Sequence, residues 1–379
     1  MSHPWTRERV DLKEHTVEGY SRRRGENGLQ PPPRMHAAEG PDLATVIPVY
    51  NEAEHIEACL LSLLKQTIEP ARHMIVVLDG GSTDGTQQVV AGIMEQHQGA
   101  DYPRLSFMEN PNRTVAHARN LALATLPDSV EFLIELIGHA TVPPDHLESR
   151  LHGWAACQDQ VGDRLSGVGV RVLPANHVPN RTSRWIDGAL ASPLGRSGGQ
   201  FSQFSGREPT NVPAFVMHRR TSLNTVGGWD ESFITSQDSE LSMRLLESGY
   251  VLYRDSATTV HMHKRSTLAN WWKMGHRYGF WRTKVLLKHP QRATWQEFLP
   301  LVGFLMTMAL VFAGEPLWWG LVACYVAVLG LAGVHRTMRG DGWSALVGVP
   351  LCLLMLHTSF TLGLGDGLVR RGRLPSDRS

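Results

Sequence analysis

The sequence predicts an α/β protein, with a Rossmann-type parallel-sheet domain at its start and apolar helices at its end. Two observations carry the first part. Residues 44–52 and 74–86 are short apolar runs that each end in polar or glycine-rich residues, and a helix-compatible stretch, 54–70, lies between them. That order reads as a β-strand, a crossover helix and a second, parallel strand. A third observation carries the second part. After Pro290 the stretches 298–313, 317–334 and 343–364 are apolar and nearly free of charge.

The elements follow in order. Strands are expected at 43–50, 74–78, 105–109 and 131–137, and helices at 55–65, 86–96 and 115–126. Alternating strand and helix argues for a parallel sheet with helices on both faces. Residues 168–260 are less regular, and the Gly- and Ser-rich stretch 194–206 reads as a flexible lid. The boundaries expected are a disordered arm at 1–41, a catalytic domain at 42–265, an amphipathic interfacial helix region at 266–292, membrane segments within 298–364 and a basic tail at 365–379. The arm is polar, with an Arg- and Pro-rich composition that cannot build a core. No internal repeat is present.

Composition narrows the function. A chain of 379 residues accommodates one domain of about 250 residues plus additions. The formal net charge is +1, which gives no electrostatic case for a nucleic-acid partner. Cys59, Cys157, Cys324 and Cys352 are scattered without CxxC spacing, so neither a disulfide framework nor a zinc site is expected, and a reducing compartment fits. The first residues lack the apolar core of a secretory signal.

The last apolar stretch is long enough to span a bilayer, the second is borderline and the first is short. Trp318, Trp319 and Trp343 stand at segment ends, where interfacial aromatics belong. The competing reading is a buried helical hairpin. If all three segments span from a cytoplasmic Pro290, then Arg370, Arg371 and Arg373 fall outside, against the positive-inside tendency. Pro350 therefore marks the last segment as a candidate re-entrant or interfacial one.

The paired motifs at 44–52 and 74–86 resemble the nucleotide-sugar-binding start of glycosyltransferase family 2, which has the GT-A fold. Three further motifs extend the likeness over about residues 42–365: 112–120 with Arg113 and Arg119, 132–140 ending in His139 and Ala140, and 227–244 opening on Gly227, Gly228 and Trp229. Tyr278, Gly279, Phe280, Trp281 and Arg282, with Lys288, His289 and Pro290, place it near the succinoglycan-type, membrane-associated exopolysaccharide glycosyltransferases. The resemblance implies a UDP- or GDP-sugar donor. It makes Asp79 the contact to a uracil edge, Glu52 the partner of base or ribose, and Pro48 and Tyr50 the pocket wall. Asp84 reads as a helix cap. Arg113 suits diphosphate oxygens. Arg119 either joins it or pairs with a carboxylate of the fold.

The resemblance also implies a divalent cation, Mg²⁺ or Mn²⁺, on the diphosphate, held by Asp-x-Asp or Asp-x-His. Here His139 matches the last ligand, but Ile137 stands at the first acidic position. Strand alternation would put Glu135, Ile137 and His139 on one face. Hard cations favour oxygen ligands, so a lone imidazole holds one weakly. His263, with His261, is a second candidate for metal or diphosphate. In the last motif Asp238 matches the general base, with Gln237 in place of the usual Glu, and Trp229 and Gln237 line the acceptor or sugar pocket. One carboxylate acting in a single displacement inverts the anomeric centre. Glu240 and Arg244 read as a structural i, i+4 pair, and Asp230 as a turn residue.

The expected protein is thus an inverting glycosyltransferase at the cell membrane. Its catalytic domain is cytoplasmic, and a lipid-linked saccharide is the acceptor. Its rival is a non-catalytic nucleotide-sugar-binding subunit, for which Ile137 argues. A nucleotidyltransferase is disfavoured, because it needs a glycine-rich basic loop where residues 50–54 are acidic.

Overall fold

The structure, a computed structural model, describes residues 40–175, 180–195, 204–263 and 267–370. Most of the expected arm, the centre of the expected lid (196–203), Arg265 and the tail beyond Arg370 lie outside the described residues. The chain starts as a βα alternation: β1 (Leu43–Val49), α1 (Ile56–Leu64), β2 (His73–Asp79), α2 (Thr86–Gln96), β3 (Arg104–Glu109), α3 (Val115–Thr125) and β4 (Phe132–Glu135). The two-residue β5 (Ala140–Thr141), α4 (His146–Val161), β6 (Leu165–Pro174), α5 (Arg181–Ala191), β7 (Arg207–Pro209) and β8 (Met217–Arg219) come next. Then come α6 (Arg220–Val226), α7 (Gln237–Glu247), β9 (Val251–Met262) and α8 (Leu268–Lys288). The apolar helices are α9 (Trp295–Phe312), α10 (Trp318–Arg336) and α11 (Ala345–Arg370).

The strands form one mixed sheet in the order β3-β2-β1-β4-β8-β6-β9-β5, with β7 on β9. The first four strands are mutually parallel, and β8 turns the sheet antiparallel between β4 and β6. Central β2 is buried along its whole length, as a parallel strand covered on both faces must be. Alternate residues serve opposite cores. Ile47, Ile75 and Val77 pack under Ile56, Leu60 and Leu63 of α1, whereas Val46, Val76 and Leu78 pack under Ala122 of α3 and Leu241 of α7. Leu147, Leu151 and Trp154 of α4 cover Phe132 and Ile134 on the same sheet face as α1.

Four expectations are revised or extended. The strand drawn at 131–137 stops at Glu135, and a turn closed by Ala140 N–H on Ile137 O redirects the chain beyond it (3.2 Å). Glu135 and His139 therefore do not share a face. The helix expected at 266–292 forms as α8 and has a partner that the sequence did not suggest, since it packs along α11. The two axes meet through small residues spaced by four, Gly275 and Gly279 against Ser359, Gly363 and Gly367. A Cβ at Gly279 would collide with Phe360 O, and one at Gly363 with His276 O. This is the small-residue packing through which apolar helices approach without a hydrophobic drive. Thr283 Oγ1 donates to Leu364 O across the seam (3.0 Å), and Trp271 Nε1 to Cys352 O (2.9 Å).

Pro350, third, lies inside a continuous 26-residue α11. It leaves Leu346 O without a helical donor, and that carbonyl faces Gly333 of α10, where a Cβ would come within 2.6 Å. Finally, three helices rather than one reach the length and hydropathy needed to cross a membrane: 295–312, 318–341 and 345–370. Their outward faces are apolar, with Phe304, Phe312, Val326 and Leu331 exposed.

Candidate active site

The C-terminal ends of the parallel strands carry a cleft built from loops. The loop after β1 and the loop after β2 are joined by four hydrogen bonds. Asn51 N–H donates to Ser82 Oγ, Thr83 N–H to Asn51 Oδ1, Glu52 N–H to Thr86 Oγ1 and Ala53 N–H to Asp84 Oδ2, at 2.8 to 3.0 Å. Asp84 also accepts from Thr86 N–H as that residue opens α2 (3.1 Å). Asp79 is buried, and its Oδ2 accepts from Gly81 N–H, Ser82 N–H and Gln87 Nε2 while Oδ1 takes Ser82 Oγ. It shapes the glycine loop from below. Tyr50 is half exposed beside it, and Pro48 is half-buried.

Arg113 is exposed and held over that loop. Its Nη2 and Nε lie within 4 Å of where a Cβ of Gly81 would stand. Its φ is +59°, a left-handed conformation that costs energy outside glycine. Asn51 (+55°) and Ser236 (+65°) are strained in the same way. Three of the four described non-glycine residues with positive φ therefore lie in the loops that carry the sequence motifs, after β1, before α3 and before α7, the pattern in which strain is stored at working sites.

Arg119 takes the other of its two roles. It is 5% exposed, and its Nη1 lies 3.1 Å from Glu135 Oε1 as a charge contact without hydrogen-bond alignment. Its guanidinium also stands 5.6 Å from the Trp229 ring. Burial alone would raise the Glu135 pKa, but Arg119 and His218 outweigh it and hold it at about 2. Trp229 is likewise a core residue, 2% exposed, and not a pocket wall. Next to Arg119, Asn120 clamps the turn that Trp229 belongs to. Its Nδ2 donates to Trp229 O and its Oδ1 accepts from Trp229 N–H, both at 2.8 Å. Gly228 (φ +70°) leaves no room for a Cβ against this amide. Asn120 is the residue that sequence reasoning missed. The signal was the Gly-Gly pair itself, whose backbone geometry needs an outside partner.

His139 reaches Glu52: Nδ1 and Oε1 are 2.7 Å apart. His55 stacks on His263 with ring centroids 4.4 Å apart, and His139 lies 6.5 Å from His55. The expected divalent cation has no matching donor set among the described residues. Ile137 sits where the first carboxylate was looked for and packs on the α1 side of the core. Glu135 faces the opposite core, and one carboxylate oxygen of Glu52 is engaged by His139. Among the described residues no three His, Cys, Asp or Glu side chains converge to hold a metal.

Asp238 stands in the first turn of α7, half-buried, with Oδ1 accepting from Ser239 N–H (2.8 Å). Gln237 beside it has a buried Oε1 with no hydrogen-bond partner among the described residues. Glu240 is fully buried and takes both Nε and Nη2 of Arg244 at 2.7 Å, so that pair is structural. Asp230 caps its turn at Ser232 N–H and also receives Lys288 Nζ (2.7 Å). Burial works to raise its pKa, but Lys288 and Ser232 outweigh this and lower it to about 2.

A mixed sheet with parallel strands at its start, Glu52 and Asp79 at the C-terminal ends of two of them and a second acidic motif opening α7 fit the GT-A fold. The chain belongs to glycosyl transferase family 2: residues 45–226 match Glycosyl transferase family 2 and residues 139–363 match Glycosyl transferase family group 2. It is 30% identical over 257 residues to the succinoglycan biosynthesis protein ExoA of Rhizobium meliloti, covering 68% of this chain and 73% of that one. It is 21% identical over 329 residues to the dolichyl N-acetyl-alpha-D-glucosaminyl phosphate 3-beta-D-2,3-diacetamido-2,3-dideoxy-beta-D-glucuronosyltransferase of Methanococcus voltae, covering 86% of this chain and 97% of that one. Its fold is that of the mannosyltransferase PcManGT from Pyrobaculum calidifontis, solved with GDP-Man and Mn²⁺ (TM-score 0.56, 18% identity, 83% and 87% of the two chains). The protein is a glycosyltransferase of glycan synthesis.

Proposed function

We propose that the protein transfers a sugar, with inversion, from a UDP-sugar to a lipid-linked saccharide, working on the cytoplasmic face of a membrane crossed by α9, α10 and α11. The observations that carry this reading are Arg113 held over the Asp79 loop and Asp238 in the first turn of α7, each within two residues of a backbone at positive φ. The nucleoside lies along Tyr50, Glu52 and Asp79, and Arg113 neutralises the diphosphate. Asp238 takes the proton of the acceptor hydroxyl as its oxygen attacks the anomeric carbon, and the bond to the diphosphate oxygen breaks from the opposite face. Nucleoside diphosphate leaves. The described residues bring no three His, Cys, Asp or Glu side chains together, so in this reading Arg113 carries the diphosphate charge.

The lipid-linked acceptor is inferred from the apolar helices, which stand beside the acidic motif through α8. The test is transfer by detergent-purified protein against a panel of UDP- and GDP-sugars, with Mg²⁺, Mn²⁺ or EDTA, and with Asp238→Asn alongside. Transfer from a UDP-sugar that survives EDTA and is lost in Asp238→Asn, with nucleotide binding retained, is the expected result. Full activity of Asp238→Asn would remove the base, and strict metal dependence would remove Arg113 as the sole carrier of the diphosphate charge.

A further inference from the structure

We propose that Lys288, in the last turn of α8, is a positioning residue for transfer: it fixes the first turn of α7, and with it Asp238, to the α8–α11 helix pair. The inference rests on the reading of Asp238 as base.

Three residues at the end of α8 hold the acidic motif. Lys288 Nζ donates to Asp230 Oδ2 (2.7 Å) and to Glu240 Oε1 (2.6 Å). One cation thereby ties the turn before α7 to a side chain two residues beyond Asp238. Lys284 Nζ, one turn earlier, donates to Ser232 O (2.6 Å) and Ser232 Oγ (3.0 Å). His289 Nδ1 meets Glu247 Oε1 at 2.7 Å, at the far end of α7. Helix α7 is thus gripped at both ends by a few consecutive residues of one neighbouring helix.

That neighbour is not free to move by itself. The glycine seam locks α8 to α11, and Arg282 pairs with Glu297 at the start of α9 (Nε to Oε2, 2.7 Å). The path from the apolar helices to Asp238 is therefore short and made of packed or hydrogen-bonded groups. Lys288 is also the member of this path whose loss the fold tolerates best. Its side chain is 40% exposed, and ion pairs of that kind add little stability. Glu240 keeps both bonds from Arg244 without it. What is lost is the tie between helices, and misplacing a reacting group by a fraction of an ångström is costly to catalysis.

The test uses the full chain in detergent micelles or bilayer discs, with Lys288→Met, Lys288→Arg and Asp238→Asn. For Lys288→Met, kcat is expected to fall by about tenfold to a hundredfold. Donor KM, nucleotide affinity and the unfolding temperature stay close to wild type, and Lys288→Arg recovers most of kcat. A purely structural lysine would not split kcat from KM in this way. Wild-type kcat in Lys288→Met, while Asp238→Asn is inactive, overturns the positioning role and leaves the base standing. Joint loss of nucleotide binding and kcat, with no recovery in Lys288→Arg, overturns it as well. Full activity in Asp238→Asn overturns the base and this inference with it.

Discussion

Glu135→Leu tests whether this carboxylate belongs to the core or to the reaction. Glu135 is 3% exposed and lies 3.1 Å from Arg119, itself 5% exposed, with His218 Nε2 at 3.4 Å on the same oxygen. Leucine keeps most of the volume and removes the charge. The guanidinium of Arg119 is then buried without its counter-ion, and breaking a buried pair from one side costs about 3 to 5 kcal/mol. At roughly 2 to 4 °C per kcal/mol for a domain of this size, the unfolding temperature falls by about 6 to 20 °C. Arg119→Leu should cost a similar amount. The double variant should cost clearly less than the sum of the two, because no uncompensated charge remains. The assay is thermal unfolding in detergent, followed by intrinsic tryptophan fluorescence. A Glu135→Leu protein that melts like wild type but loses transfer would refute the core assignment and return Glu135 to the cleft.

Arg113→Ala should raise donor KM by about 10- to 150-fold, the range for a hydrogen bond to a charged group, and leave the unfolding temperature unchanged. A loss of stability instead would make Arg113 a structural residue. Gly279→Ala places a methyl group against Phe360 O and should destabilise by about 1 to 3 kcal/mol; Gly303→Ala, where nothing lies within 4 Å, is the control, and equal melting of the two would deny the seam. Acid should loosen the grip on α7. The Asp230 carboxyl is held at about 2 against 3.8 and Glu240 is lowered as well, so their contribution is present above about pH 4 and is lost as pH falls towards 2. Ser232 and Arg244 also lower these two carboxyls, so Lys288→Met should keep most of that slope, and a slope abolished by Lys288→Met would make the lysine a stability residue.

The parallel half of the fold was legible because each strand is a continuous apolar run and each helix comes directly after it. The antiparallel half was not, because β8 has three residues and β9 pairs with three different strands, so its register is set by distant partners. Asp79, Arg113 and Asp238 are candidates by motif, and their places on the fold, at the end of β2, over the loop after β2 and in the first turn of α7, follow from it. Arg119 could be read two ways, since a guanidinium suits a phosphate and a carboxylate equally well, and only burial decides. Extending the fourth strand to 137 rested on apolar residues that turn out to line a turn. Lys288 and Asn120 act across 48 and 109 residues of chain, beyond the reach of local pattern. The α8–α11 seam did leave a trace, glycines four apart on both helices, beside the basic and aromatic character that made α8 look like a surface helix.

The same seam sets an order on biosynthesis. Thr283 and its partner Leu364 are 81 residues apart in the chain. At about 5 to 20 residues per second, a ribosome needs roughly 4 to 16 seconds to supply the second after the first. Throughout that interval the groove of α8 that holds Gly275 and Gly279 has nothing to receive, although the nucleotide-binding half has already been made. The enzyme is therefore finished from its far end. Insertion of α11 is the step that completes α8, and a nascent chain stalled before Gly363 carries a folded donor half with an open apolar flank, the kind of surface that quality-control factors recognise.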